Sequence, residues 1–168
     1  MIRANTAARA FQKRTIRPLY AWHSAVPYSC FLDTTAVSTA ILYPGQVAVK
    51  TTGEQMDYMR GDTDVAFGLF NNWVNGVMDE LGGGTEITVW VGGRDAVFEV
   101  LAGPNSNETP LATVTWVSLN ATRGGVALFG DANGRLSNTD AGSQKRVARL
   151  IEAVSNSKII VQLSLAEA

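Results

Sequence analysis

Short alternating runs of apolar and polar residues fill residues 41–101, broken repeatedly by Pro-Gly, Thr-Gly, Gly-Asp and a triple glycine. Such a pattern predicts β-strands joined by tight turns, because successive side chains of a strand point to opposite faces. Over residues 46–51, Val47 and Val49 fall on one side and Gln46, Ala48 and Lys50 on the other. Tyr43-Pro44-Gly45 turns into this strand and Thr52-Gly53 turns out of it. Residues 55–60 then return as a hairpin partner closed by Gly61-Asp62-Thr63-Asp64. Residues 86–91 alternate cleanly, with Ile87, Val89 and Val91 set against Glu86, Thr88 and Trp90. The turn residues Gly92-Gly93-Arg94-Asp95 predict that residues 96–101 pair back onto that strand.

Residues 65–81 read two ways. Phe67, Phe70, Val74, Val77, Met78 and Leu81 recur at intervals of three and four, which suits an amphipathic helix. Gly68 and Gly76 each disfavour a helix interior by about 1 kcal/mol, and Asn71-Asn72 favours a turn. The expectation is a strand over residues 65–70, then one or two helical turns ending at Gly82, the natural glycine stop after Leu81. Residues 103–110 form a polar loop. Strands are expected over 112–119 and 126–129, followed by a turn at Asp131-Ala132-Asn133-Gly134. Residues 146–154 fit helix or strand by pattern, but the β-branched run at 159–165 argues for a final hairpin, so both are taken as strands. The sum is a mainly β chain: a compact β-barrel or β-sandwich of about nine or ten short strands with at most one or two short helices.

The first 32 residues change this picture. They hold Arg3, Arg9, Lys13, Arg14 and Arg17 and no acid, whereas the remainder carries 9 basic and 15 acidic residues. A block of one sign usually marks an arm that binds something of the other. Pro18 and Pro27 favour extended backbone, and Leu19, Tyr20, Trp22, Tyr28 and Phe31 are too apolar for a solvated tail. Residues 1–34 are therefore read as an extended basic N-terminal arm and residues 35–168 as the β-domain. Mitochondrial transit peptides share this composition, but the large apolar residues that follow the basic block favour an arm bound to a partner. Charged residues make up only 17% of the chain, against about 25% in ordinary domains. Either other protein covers much of the outside, or the surface is built from Thr, Ser, Asn and Gly. No run of 18 apolar residues exists to form a membrane-spanning helix.

Enzyme chemistry has little to stand on. His23 is the sole histidine, no Gly-x-Ser-x-Gly surrounds a serine, and Gly82-Gly83-Gly84 lacks the lysine of a phosphate-binding loop. The carboxylate pairs Asp62/Asp64 and Asp79/Glu80 abut turns, where solvated acids are usual. Asp131–Gly134 is only a fragment of a calcium loop. Cys30, alone, reads as a buried thiol. No catalytic residue, cofactor or metal site is expected, and the acidic body argues against nucleic acid as a partner.

Several stretches resemble the head decoration, or capsid cement, proteins of tailed bacteriophages. These are the Ile-Leu-x-Pro-Gly-x-Val entry at residues 41–47, Phe67-Gly68-Leu69-Phe70 after an acidic turn, the stretch 128–136 with its Asn-Gly-Arg-Leu, and the run through 146–154 into 159–165. The resemblance covers roughly residues 35–165. It implies a non-enzymatic virion protein that binds the outside of the capsid and stabilises it, with the major capsid protein as partner and a homo-oligomer, a trimer by preference. It would sit on the capsid exterior and pass through the host cytoplasm during assembly. The arm would then make the contacts, Arg3, Arg9, Lys13, Arg14 and Arg17 to acidic capsid surface and Leu19, Tyr20, Trp22, Tyr28 and Phe31 at the junction. The alternatives are a carbohydrate-binding β-module using Trp73, Trp90 or Trp116, or another virion component such as a head-completion or tail protein.

Overall fold

The computed structural model describes residues 16–20, 25–33, 41–61, 64–71, 74–75, 86–92, 96–103, 109–140 and 146–164. In chain order the strands are β1 (Ile16–Tyr20), β2 (Val26–Leu32), β3 (Ile41–Leu42), β4 (Val47–Lys50), β5 (Gln55–Tyr58), β6 (Ala66–Phe70) and β7 (Val74–Asn75). They continue with β8 (Glu86–Gly92), β9 (Val97–Leu101), β10 (Val126–Gly130), β11 (Leu136–Ser137), β12 (Ala148–Ser155) and β13 (Lys158–Leu163). Strands β2-β5-β4-β6-β8 close a barrel, β1-β9-β13-β12-β10-β11 form a six-stranded sheet, and β3 pairs with β7. The mainly β expectation holds, with barrel and open sheet both present.

Strict alternation along the barrel strands explains why the two layers stay together. On β8, Ile87 and Val89 point into the barrel, where they join Cys30, Leu32, Leu42, Ala48, Met56 and Phe70. On β4, Val47 and Val49 face the other way, into a larger core shared with Phe98, Val100, Leu128, Leu150, Ile159 and Val161 of the sheet. A strand buried on both faces ties the two cores into one body. Each such fully buried side chain contributes about 1.5–3 kcal/mol.

The layers are also joined by main-chain hydrogen bonds. The Asp131–Gly134 turn, between β10 and β11, lies on the start of β4: Val47 N donates to Gly134 O at 2.7 Å. The Gln46 side chain, itself buried, donates to Asn133 O at 2.9 Å and accepts from Tyr43 N. Asp131 holds the turn closed, accepting from Asn133 N and Arg135 N through Oδ1 and from Arg135 Nε through Oδ2. The turn reading of this sequence, rather than the calcium one, describes how its carboxylate is used.

Three local expectations need correction or limit. Residues 96–101 do not pair back on residues 86–91: β8 closes the barrel between β6 and β2, whereas β9 lies between β1 and β13. Trp90 and Phe98 explain this, because their rings pack at 5.5 Å within the inter-layer core and so require the chain to change layers between them. The strand expected over residues 112–119 is replaced by a 3-10 helix, Trp116–Ala121, after a single bridge from Leu111 to Leu136. Alternating Thr and Val mimic a strand there, but the fully buried Trp116 is delivered into the core by the helix instead. Strand β6 fits the expected strand over 65–70, yet Val74–Asn75 is a strand too, and the helical turns ending at Gly82 lie outside the described residues.

Candidate functional site

The N-terminal segment enters the fold at the edge of the six-stranded sheet. Within the stretch read as an arm, residues 16–20 are the edge strand β1 and residues 26–32 are β2 of the barrel. Ile16 pairs opposite Val100 and is buried, which sets the next side chain, Arg17, on the outer face opposite Glu99. Arg17 grips Glu99 with two bonds, Nε to Oε1 at 2.7 Å and Nη2 to Oε2 at 3.1 Å. Lys158 Nζ, from β13 on the other flank, reaches Oε2 at 2.8 Å. One nearly buried carboxylate therefore clamps two cations from its two neighbouring strands. Burial alone pushes the Glu99 carboxyl upward, but the hydrogen bonds and charges of Arg17 and Lys158 outweigh it and hold the group below the usual carboxylate range.

Arg17 thus has an acidic partner inside the chain. Leu19 is half-buried on β1. Tyr20 pairs through its backbone with Val97, its side chain lying outside the described residues together with Arg3, Arg9, Lys13, Arg14 and Trp22. Tyr28 packs edge-on against Phe67, ring centroids 5.2 Å apart, alongside the barrel core. Phe31 points outward from the same strand and is 40% exposed, as β-strand alternation demands. Cys30 between them is buried, and burial pushes its thiol up to about 11, with Glu54 adding to the effect.

Further exposed apolar side chains lie on the described surface. Val26 lies on β2, Val117 on the 3-10 helix, and Ile151 and Val154 on β12. The β12 pair had a signal in the sequence. In Ala148-Arg149-Leu150-Ile151-Glu152-Ala153-Val154, two adjacent apolar pairs break the alternation, and the structure resolves each with a register shift.

Of the tryptophans considered as sugar platforms, Trp116 is fully buried and Trp90 packs on Phe98 while donating to Asn71 Oδ1. Trp73 lies outside the described residues. Among the described residues, no group of three or more His, Cys, Asp or Glu side chains is placed to hold a metal ion, and no helix is long and apolar enough to cross a membrane. Comparison with protein families matches the whole chain, residues 1–168, to the family described as phage cement protein. No curated protein matches it.

Proposed function

From the premise that this chain belongs to the phage cement protein family, whose members are capsid-associated structural proteins of phages, we propose that it binds the outside of the capsid and stabilises it without enzymatic activity. The observation that carries the reading is the clamp on β1. Glu99 fixes the edge strand, so the chain N-terminal to Ile16, with Arg3, Arg9, Lys13 and Arg14, starts from a firmly held point at a sheet edge. An edge strand leaves main-chain groups open to pairing, and a basic segment joined to it suits an acidic capsid surface. Individual exposed ion pairs add only about 0–1 kcal/mol, so main-chain and apolar contacts, with Phe31 among them, carry most of the affinity. Repetition over the shell multiplies it. The major capsid protein is the partner, the protein acts as a homotrimer, and it reaches the capsid exterior from the host cytoplasm.

Removing residues 1–15 tests this without touching β1. The shortened protein should keep its melting temperature and lose most of its binding to undecorated shells in co-sedimentation. Undiminished binding would remove the arm from the mechanism. A mass measurement in solution tests the trimer.

A further inference from the structure

A groove of about 260 Å³ lies between β12 and the turn that follows the 3-10 helix. Leu119 and Asn120 line it from the helix, Gly124 and Gly125 from the turn, and Arg149 and Ile151 from β12. Its walls are fixed by contacts within the chain. Asn120 behaves like a neighbouring strand toward β12, its Nδ2 donating to Ala153 O at 2.9 Å and its Oδ1 accepting from Ala153 N at 2.7 Å. The turn approaches β12 closely at Gly125, where φ is +78° and a Cβ would stand 2.5 Å from Leu150 O. The groove is thus shaped before any partner arrives.

Its chemistry is cationic and apolar together. Arg17, Arg60, Arg135 and Lys158 each pair with an acid of the same chain. The exposed Arg149 guanidinium has no hydrogen bond or ion pair with another described residue, and no acidic side chain lines the groove. Ile151 is the extra residue of a bulge: Leu150 stands opposite Val161 and Glu152 opposite Ile160, leaving Ile151 unmatched and half exposed. Val154 repeats the arrangement between Ala153 and Ser155. In the groove, the unmatched apolar side chain of Ile151 lies along the same wall as the unpaired Arg149 cation, a combination complementary to an acidic residue with an apolar neighbour.

We propose that this groove receives an acidic segment of the capsid subunit, a carboxylate pairing with Arg149 while an adjacent apolar side chain rests on Ile151. This rests on the capsid-binding reading above and adds a second contact, separate from the basic arm. The apolar rim favours polypeptide over a phosphate group, since phosphate would leave Ile151 uncovered.

The test uses the full chain with Arg149→Glu, Arg149→Ala and Arg149→Lys. On undecorated shells, R149E should bind about ten-fold more weakly than the unaltered protein, R149A should fall between, and R149K should stay close to it. The exposed site predicts unchanged melting temperatures. R149E binding as tightly as the unaltered protein would overturn the groove while leaving capsid binding intact. Failure of the unaltered protein to bind shells would overturn both. An independent probe is a short peptide of alternating Glu and Leu titrated into labelled protein. It should move the Gly124 and Gly125 amide resonances in the unaltered chain and not in R149E. The same movement produced by inorganic phosphate alone would overturn the assignment to polypeptide.

Discussion

At the scale of single residues, burial and close approach decide what a position tolerates. Gly68 on β6 lies so close to β8 that an added Cβ would collide with the Trp90 carbonyl and a Val89 methyl. Gly68→Ala should therefore cost at least about 2 kcal/mol, in line with other overpacked cores, read from the denaturant midpoint. Cys30 gives a chemical counterpart. Its thiol is buried and pushed up to about 11, and only a thiolate is a good nucleophile. Iodoacetamide at pH 8 should leave the native protein unmodified and alkylate it quantitatively in denaturant, as mass spectrometry would report. Rapid labelling of native protein would contradict the placement of Cys30 inside the barrel. The sequence made the buried thiol legible because a small, lone sulfur residue has no other ordinary role. It gave no hint of Gly68's role, because the atoms that exclude a side chain there come from residues about twenty positions away.

At the scale of elements, β1 and the 3-10 helix are each tied to a neighbour by a polar side chain. Glu99 secures β1, and its sign with pH follows from its lowered pKa. A carboxylate held below its ordinary value of 4.5 contributes stability at neutral pH and loses it as pH falls through the lowered value. Amide exchange in residues 16–20 should therefore accelerate as the pH drops below about 4.5, after correction for intrinsic rates. Glu99→Gln should show faster exchange already at pH 7 and little further pH response. Asp57 runs the other way: burial pushes it above its ordinary value, outweighing Tyr58 N and Arg60, so acidification relieves a strain at that site. Asn120 secures the helix with two hydrogen bonds to Ala153. Asn120→Ala should cost about 1–3 kcal/mol at 0.5–1.5 kcal/mol per bond, with the loss seen as faster exchange at Ala153.

At the scale of the whole molecule, barrel and sheet share a core to which Leu69 contributes from one layer and Phe98 from the other. They should unfold together. Leu69→Ala and Phe98→Ala should each lower stability by about 2–5 kcal/mol. Both should shift one transition in which fluorescence and far-ultraviolet circular dichroism coincide. Two separate transitions would show that the layers are independent. Under the proposed capsid-binding role, a partner bound at the sheet edge or at β12 would load the entire shared core rather than one layer.

Local patterning was enough to place most strands. Alternation along 46–51, 86–91 and, of the run 159–165, as far as Leu163 reappears in the structure with the turns at Gly45, Gly53 and Gly134, because side-chain period and turn backbone are properties of neighbouring residues. The mainly β class followed from them, as did the resemblance to cement proteins, and the family match bears that out. Which strands pair was decided only by tertiary structure. β8 and β9 look like a hairpin in the sequence and are parted by the packing of Trp90 on Phe98. Residues 112–119 alternate like a strand and yield to a helix because Trp116 fills the core. Arg17 looks like a free cation until folding brings Glu99, 82 residues away, into contact with it. The groove beside Arg149 is of the same kind: its walls come from the helix, the glycine turn and a bulged strand. Sequence patterning carries the periodicity of each element, whereas the partners of a charge or a strand edge depend on contacts between distant parts of the chain.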